Sequence, residues 1–187
     1  MTKFRIHDLE SAPAASREML EKVKGKFGFI PNMLSAMAES PATLKGYLTL
    51  SGILEESAFT PAERQILLLT TARENGCEYC VAAHTMGAGK AGTPPSVIAS
   101  IRDDKPIADK RLAALHDFCR KVVSLRGWAS ETDVKAFLDA GYTRAQLLEV
   151  ILAVSLKTIS NYMNHIASTP LDAAFKPVEW RTPEKFG

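Results

Sequence analysis

The strongest constraint on the fold is a helix-start signal at residues 60–63, Thr-Pro-Ala-Glu, followed closely by an apolar run. The threonine is a favoured N-cap residue, the proline suits the first helical position, and the glutamate completes a capping box. Residues 66–69 are apolar on every side, which predicts a helix buried in the core. The pair 75–76, Asn-Gly, interrupts this helix, and a further helix is expected from about Cys77.

Other segments carry similar helix signals: Ser40 before Pro41, Ser130 with Asp133, and Thr143 with Gln146. We expect Pro106 to begin a longer helix, and the glycines at 87, 89 and 92 to end the helix that follows Cys77. No stretch alternates apolar and polar residues over a useful length. The sequence therefore predicts an all-α fold of about eight helices.

A faint internal repeat relates the two strongest capping boxes. The pattern that starts at Thr60 recurs at Thr143, a constant offset of 83 residues, and each copy is followed by an apolar run. This repeat predicts two similar helical hairpins that face each other.

Composition favours one globular domain over residues 1–187, with a motif core at about 60–92 and a C-terminal arm at about 176–187, which we expect to pack on a neighbour. Hydrophobic residues make up 46% and charged residues 24% of the chain, and the net charge of +2 gives no reason to expect nucleic-acid binding. No apolar N-terminal region or membrane-length apolar window is present, which predicts a cytoplasmic protein without a membrane partner. In that compartment, three cysteines argue against a structural disulfide framework.

One motif, Cys-x-x-Cys-x-x-x-His, carries most of the functional information. In a helix, Cys77, Cys80 and His84 lie on one face. A thiol has an ordinary pKa of about 8.5, and both a helix start and a nearby imidazole favour the reactive thiolate. A second thiol close by converts a sulfenic acid into a disulfide, so the motif supports peroxide reduction or thiol–disulfide exchange.

Two other interpretations of the motif stay open. A structural zinc site usually takes four ligands, and the motif offers three, so a fourth would have to come from His116, His165 or Cys119. The two cysteines are alternatively inert core residues, as we expect for Cys119 on its apolar stripe. Covalent haem attachment is excluded because three residues separate His84 from Cys80.

The motif and its surroundings resemble the alkylhydroperoxidase D-like group of the carboxymuconolactone decarboxylase family. The resemblance rests on residues 60–92, and it extends through Gly-Phe-Ile-Pro-Asn at 28–32, the helix after Ser40, and Asn-Tyr-x-Asn-His at 161–165, all of which resemble the peroxidase-related branch. It implies an all-α fold and homo-oligomers, often trimers or hexamers built from dimers.

The resemblance also implies the roles of the motif residues. Cys80 would attack the peroxide, Cys77 would resolve the sulfenic acid, and His84 would serve in a proton relay. The two cysteine roles would be exchanged if the physiological reaction were disulfide reduction. No cofactor is implied, and an external dithiol, of the thioredoxin-like or lipoyl kind, would regenerate the thiols.

The relay departs from the family pattern at one position. The family places a glutamate twelve residues before the first cysteine, where this chain has Gln65. A glutamine amide orients a water or an imidazole but accepts no proton. The candidates for the missing group are Glu74, Glu149 in an otherwise apolar helix, and His165.

The sequence thus predicts an oxidoreductase that reduces hydroperoxides through a Cys77–Cys80 disulfide cycle. One alternative is an adaptor that reduces the disulfide of another protein in an antioxidant system. Another is a non-catalytic helical oligomer whose thiols are structural or bind zinc. A decarboxylase or lactone-processing activity is disfavoured, because that branch of the family does not depend on a cysteine pair.

Overall fold

The computed structural model describes residues 4–183 of the chain and contains no strand in that range. Nine α-helices and one 3-10 helix make up the described part, which confirms the all-α class. In chain order they are α1 Ala14–Phe27, α2 Asn32–Met37, α3 Pro41–Glu55, α4 Pro61–Glu74, α5 Glu78–Lys90, α6 Pro95–Asp103, α7 Lys110–Ser124, α8 Glu131–Asp139, α9 Arg144–Ala167 and the 3-10 helix Ala173–Val178.

The helix starts predicted from capping residues at Ser40, Thr60, Ser130 and Thr143 are confirmed in the structure. The Thr60 hydroxyl accepts a hydrogen bond from the backbone N–H of Glu63 at 3.2 Å, and the Glu63 carboxylate accepts one from the N–H of Thr60 at 2.9 Å. The same reciprocal pair forms at the starts of α8 and α9. Each box satisfies backbone N–H groups that the first turn of a helix leaves without an internal partner.

Helix α4 is the central element of the bundle. Its residues from Ile66 to Ala72 are all buried, and it packs against α5, α7 and α9. An amphipathic helix would leave one stripe in solvent, so burial on all sides explains why this run carries no charged residue. The chain turns back after α4, and α5 packs antiparallel to it as the first hairpin.

The prediction of two similar hairpins is wrong for the second copy. Helix α9 runs unbroken for 24 residues from Arg144 to Ala167. The hairpin α4–α5 depends on Gly76, which adopts a left-handed φ of 67° at the turn. The α9 sequence contains no glycine or proline, so nothing breaks the helix at the corresponding place.

Two helix boundaries also differ from the prediction. The glycines at 87 and 89 lie inside α5, which ends at Lys90, so only the glycine at 92 lies beyond the helix end. Helix α7 begins at Lys110 and not at Pro106, because the Asp109 side chain accepts hydrogen bonds from two N–H groups of the first turn, both at 2.9 Å.

The C-terminal arm packs on its own chain over the residues that the structure describes. The Trp180 indole donates a hydrogen bond to the backbone carbonyl of Arg102 at 3.2 Å. Thr182 binds the start of α5: its N–H donates to the Glu78 carboxylate and its hydroxyl to the Gly76 carbonyl, both at 2.9 Å. The expected contact with a neighbour is therefore not needed to hold this part of the arm, whose last aromatic residue, Phe186, lies outside the described residues.

Within residues 4–183, no helix combines the length and the apolar composition that a membrane crossing requires. Large apolar side chains are nevertheless exposed on the outer face of α9, among them Leu148, Ile151, Tyr162 and Ile166. The homo-oligomer implied by the resemblance remains a prediction.

Candidate active site

The turn between α4 and α5 positions the two motif thiols. Cys77 is the N-cap residue of α5, in an extended conformation with φ −84° and ψ 94°, and Cys80 lies in the first turn. Both side chains are only 1% exposed, and both are free thiols. The N-terminal end of a helix favours negative charge, so α5 supplies an environment in which a thiolate is stabilised.

Helix α9 forms the opposite wall of the thiol site. The Asn164 amide donates to both sulfurs, with Nδ2 3.2 Å from Cys80 Sγ and 3.8 Å from Cys77 Sγ. The Ser160 hydroxyl oxygen lies 3.9 Å from Cys80 Sγ. The two sulfurs therefore share one hydrogen-bond donor, and Cys80 receives the closer contact.

A lysine completes this wall. Lys157, one turn before Ser160 on α9, is 1% exposed. Burial alone disfavours its charge, but Cys80, the Tyr47 phenol and Cys77 outweigh burial and raise the Lys157 pKa above its ordinary value. Among residues 4–183, no carboxylate lies within 4.0 Å of the Lys157 ammonium.

The two cysteines differ in their acidity. Burial opposes ionisation of Cys80, yet the neighbouring Cys77 thiol, the charge of Lys157 and the Ser160 hydroxyl hold its pKa well below the ordinary value. The pKa of Cys77 is raised, first because its thiol donates a hydrogen bond to Cys80 and second because it is buried. The pair thus favours one thiolate, on Cys80, and one thiol, on Cys77.

The third motif residue, His84, is held by the glutamine at the relay position. His84 Nδ1 lies 3.0 Å from the Gln65 side-chain oxygen, an acceptor, so this nitrogen carries the proton. Burial, and next the charge of Lys157, hold the His84 pKa well below its usual range. Gly87 leaves the space for this contact: a Cβ there would lie 2.8 Å from the Gln65 oxygen.

The structure does not bring Glu149 to the thiols. Its carboxylate accepts hydrogen bonds from the backbone N–H of Ala58, at 3.1 and 3.2 Å, in the connection between α3 and α4. Glu149 also precedes Lys157 by eight residues on one helix, a separation of about 12 Å. The suspected carboxylate therefore has a structural partner elsewhere.

The two other relay candidates, Glu74 and His165, also contact residues other than the thiols. Glu74 pairs with Arg73 and Arg120, each at 3.1 Å. His165 is exposed, and its ring stacks on Tyr162 with 6.4 Å between centroids. Asn164, which precedes His165 in the sequence, contacts the sulfurs instead.

Residues 41–108 match the carboxymuconolactone decarboxylase family. Over the whole chain, the structure is similar to the alkylhydroperoxidase AhpD core, a peroxidase-related protein from Ralstonia eutropha JMP134, with a TM-score of 0.83, 23% identity and coverage of 92% of this chain and 93% of that chain. The chain thus has an AhpD-like fold, and its residues 41–108 carry the match to the family. No curated protein matches it.

Two further structures share this AhpD-like fold. A peroxidase-related protein from Silicibacter sp. TM1040 has a TM-score of 0.79 at 19% identity, with coverage of 93% of this chain and 92% of that chain. The debrominase Bmp8, in a cysteine-to-alanine variant bound to 2,3,4-tribromopyrrole, has a TM-score of 0.78 at 12% identity, with coverage of 95% of each chain. At these identities the likeness concerns the fold alone.

In this AhpD-like chain, Lys157 is the site residue that the sequence analysis missed. The buried residues of α9 recur every three or four positions, through Val150, Ala153, Ser160 and Asn164, and Lys157 lies on that stripe. A lysine at a buried position of an apolar helix was the available signal, because such residues are rarely buried unless paired.

The third cysteine lies in a different layer of this AhpD-like fold, between α4 and α7. Cys119 is fully buried, and its sulfur lies 3.4 Å from the Thr71 hydroxyl. Burial raises the pKa of this thiol to about 12. In the same layer, His116 Nδ1 lies 2.8 Å from the Thr70 hydroxyl, and burial lowers the His116 pKa to about 4.

Two buried side-chain atoms of α9 have no hydrogen-bond partner within residues 4–183, and one of them belongs to Asn164, which contacts both sulfurs. Asn161 is held by Asn75, whose amide donates to its side-chain oxygen at 2.9 Å. Within residues 4–183, the Asn161 side-chain nitrogen and the Asn164 side-chain oxygen have no hydrogen-bond partner. Over the same residues, no group of three or more His, Cys, Asp or Glu side chains has the arrangement of a metal site.

Proposed function

We propose that the protein is a thiol-dependent hydroperoxide reductase in which Cys80 attacks the peroxide and Cys77 resolves the product. The observation that carries this proposal is the hydrogen bonding of both sulfurs to the single Asn164 amide nitrogen, at 3.2 and 3.8 Å. Two thiols three residues apart at a helix start that both contact one amide nitrogen are neighbours, as a sulfenic acid and its resolving thiol have to be.

The unequal acidity of the two thiols supports these roles. The pKa of Cys80 is held well below its ordinary value by Cys77, Lys157 and Ser160 despite burial, whereas the pKa of Cys77 is raised. The thiolate is the nucleophile, so Cys80 is the sulfur that attacks first. Exposure does not distinguish the two, because each is 1% exposed.

The chemistry consists of two steps. The Cys80 thiolate attacks the terminal oxygen of the hydroperoxide, a sulfur–oxygen bond forms, the oxygen–oxygen bond breaks, and an alkoxide leaves. The Cys77 sulfur then attacks the Cys80 sulfenic acid, and water is released as the disulfide forms. An external dithiol reduces this disulfide and restores both thiols.

The unpartnered side-chain atoms of Asn161 and Asn164, one turn apart or less on α9, support a small oxygen-containing substrate. The Asn161 nitrogen is a donor and the Asn164 oxygen an acceptor, and neither has a partner within residues 4–183. A hydroperoxide group offers one donor and two acceptor oxygens. The enclosed thiols also favour a small substrate over the disulfide of a second protein, which has to reach the attacking sulfur directly.

Mass spectrometry of the thiols after one equivalent of a hydroperoxide tests the proposal. We expect a Cys77–Cys80 disulfide in the unmodified protein, no disulfide in Cys80→Ser, and a sulfenic acid on Cys80 in Cys77→Ser. Sulfenic acid on Cys77 in the Cys80→Ser variant would reverse the two roles.

Three further results would contradict the proposal. Thiols that stay reduced under peroxide but exchange rapidly with a protein disulfide would support the adaptor function. Stoichiometric zinc in the purified protein, or thiols inert to both reagents, would support a structural role.

A further inference from the structure

The buried charge of Lys157 requires an anionic partner. Moving an ammonium from water into a protein interior costs several kcal/mol unless an opposite charge or strong hydrogen bonds compensate. Carboxylates are the usual partners, but none lies within ion-pair distance of Lys157 among residues 4–183. The acidic groups that act on this ammonium are the thiols of Cys80 and Cys77 and the phenol of Tyr47.

Cys80 is the best placed of these three groups to carry the negative charge. It lies in the first turn of α5, where the helix end favours an anion. It also receives the 3.2 Å hydrogen bond from Asn164, and the Ser160 hydroxyl lies 3.9 Å away. Tyr47, by contrast, is buried at the edge of the apolar core, and burial raises its pKa, although the Lys157 charge acts in the opposite direction.

We propose that Lys157 is a catalytic residue of this site, which pairs with the Cys80 thiolate in the resting protein and donates a proton to the leaving alkoxide. This inference rests on the proposed function and names the group that takes the place of the family's relay glutamate. Its geometric basis is the position of Lys157, which is 1% exposed and lies on the same buried stripe of α9, one and two turns before Ser160 and Asn164, the residues that contact Cys80 Sγ at 3.9 and 3.2 Å.

The first chemical step balances with this lysine as the proton source. The thiolate forms a bond to the terminal peroxide oxygen, the oxygen–oxygen bond breaks, and the electron pair leaves on the alkoxide. Lys157 gives one proton to that alkoxide, so the products are the Cys80 sulfenic acid, an alcohol and a neutral amine. An alkoxide is a strong base, so this proton transfer lowers the barrier to its departure.

The second step restores the charge of the lysine and then uses it again. The neutral amine takes the proton from the Cys77 thiol, and the Cys77 thiolate attacks the Cys80 sulfur. The hydroxide that leaves takes the proton back from Lys157 as water. After an external dithiol has reduced the disulfide, one proton moves from Cys80 to Lys157, and the ion pair forms again.

His84 is poorly suited to the donor role. Its Nδ1 proton is directed to Gln65, and its lowered pKa keeps the imidazole neutral near pH 7. A neutral imidazole is a very weak acid, so it does not protonate an alkoxide as readily as an ammonium does. The glutamine at the relay position is consistent with this arrangement, because the site does not require a charged histidine.

The ion pair is tested without any peroxide by the ultraviolet absorbance of the thiolate. We expect one thiolate in the reduced protein at pH 6, lost in Cys80→Ser, and a fall in its population of at least about tenfold in Lys157→Met, because an adjacent opposite charge lowers a thiol pKa by one to three units. Lys45→Met removes an exposed lysine of α3 and serves as the matched control. A thiolate that persists in Lys157→Met at pH 6 would overturn the ion pair.

The proton donation is tested with two oxidants that differ in leaving group. Acetate leaves from peracetic acid without a proton, whereas tert-butoxide, from tert-butyl hydroperoxide, needs one. At a pH where Cys80 is ionised in every variant, we expect Lys157→Met and Lys157→Arg to lose at least about tenfold with tert-butyl hydroperoxide and less than about threefold with peracetic acid. Equal losses with the two oxidants would overturn the donor role.

The arginine variant keeps the positive charge but is a far weaker acid. It is therefore expected to retain the ultraviolet absorbance of the thiolate but to react at least about tenfold more slowly with tert-butyl hydroperoxide. A merely structural lysine does not produce this combination. Circular dichroism checks that each variant is folded, and Lys157→Gln replaces the methionine variant if that one is not.

The two proposals fail in different ways. If peroxide forms the disulfide normally and Lys157→Met keeps its thiolate, the lysine inference is wrong and the peroxidase function stands. If the thiolate band depends on Lys157 but peroxide forms no disulfide, the ion pair stands and the peroxidase function is wrong.

Discussion

Two layers of this molecule each bury cysteine thiols next to a basic side chain, with opposite results. Between α4 and α7, burial raises the pKa of Cys119 to about 12 and lowers that of His116 to about 4, so both groups are neutral near pH 7. Between α5 and α9, the pKa of Cys80 is lowered and that of Lys157 is raised, although both are buried. Burial therefore does not decide reactivity here.

The difference lies in which groups face each other. In the layer between α4 and α7, which we call the neutral layer, the Cys119 thiol and the His116 imidazole each contact a threonine hydroxyl, at 3.4 and 2.8 Å. A hydroxyl carries no charge, and in neither case does it outweigh the effect of burial on the pKa. In the layer between α5 and α9, which we call the charged layer, the Lys157 ammonium lowers the pKa of Cys80 and Cys80 raises the pKa of Lys157. The Asn164 amide adds a hydrogen-bond donor to the Cys80 sulfur. Isolated titratable groups are neutralised by burial, whereas a matched acid and base ionise together.

The largest expected difference between the layers is in hydroperoxide consumption. We expect Cys80→Ala to lower the rate at least about 1000-fold, because removing a nucleophile leaves no alternative route. Cys119→Ala removes an equally buried thiol from the neutral layer and should leave the rate unchanged. Steady-state peroxide consumption with a dithiol reductant measures both, and similar losses in the two variants would show that the layers do not differ in reactivity.

The neutral layer should control stability in acid. The folded-state pKa of His116, about 4, lies below its unfolded value of about 6.5, so the unfolded chain binds more protons between these values. The stability contributed by neutral His116 is present above pH 6.5 and is lost as the pH falls toward 4, by about 3 kcal/mol. Urea unfolding at pH 7 and pH 4 measures this loss.

His116→Gln should flatten that pH dependence, while the exposed His165→Gln should leave it as it is. His84 also has a lowered pKa and contributes in the same direction, so part of the slope will remain in His116→Gln. An unchanged slope in His116→Gln would mean that this histidine is protonated in the folded state.

Asn164 is the test of hydrogen bonding within the charged layer. In Asn164→Leu both sulfurs lose their shared donor, and a hydrogen bond to a charged group is worth about 1.5–3 kcal/mol. We expect disulfide formation at pH 6 to slow by roughly tenfold, since less Cys80 is ionised. Stopped-flow tryptophan fluorescence follows the step, and Tyr162→Phe, on the exposed side of α9, is the control.

The smallest effect should follow from restoring the family's relay residue. Gln65→Glu places a carboxylate 3.0 Å from His84 Nδ1 and should raise the His84 pKa, which NMR titration of the imidazole protons detects. If Lys157 supplies the proton, the peroxidase rate should change by less than about threefold. A large gain would instead show that the unmodified site lacks a relay, and would return the proton transfer to His84.

The part of the site on α5 could be predicted from the sequence because it is local. Cys77, Cys80 and His84 fall within eight residues of one helix, and the capping box at Thr60 fixes where the preceding helix begins. The all-α class followed equally from caps and apolar runs, which are properties of neighbouring residues.

The part of the site on α9 could not be predicted in this way. Lys157 and Asn164 reach the thiols through the packing of α9 against α4, across about eighty residues of chain. The partner of Glu149 is a backbone N–H in the α3–α4 connection, and no residue pattern reveals that contact. Tertiary contacts of this kind depend on how complete helices pack, so local patterns only indicate which positions are buried.

If the proposed ion pair and disulfide cycle hold, the buried lysine has a consequence for the redox equilibrium of the protein. A disulfide carries no charge, so oxidation removes the anion that Lys157 faces, and the lysine is left as a buried neutral amine that has lost its ion pair. The reduced state is thereby stabilised relative to the oxidised state, and the reduction potential of the Cys77–Cys80 pair rises. The disulfide is then a comparatively strong oxidant, which a dithiol of ordinary potential reduces readily. Lys157 would thus favour both half-reactions of the cycle, the oxidation of the thiols by peroxide and the reduction of the disulfide by the dithiol.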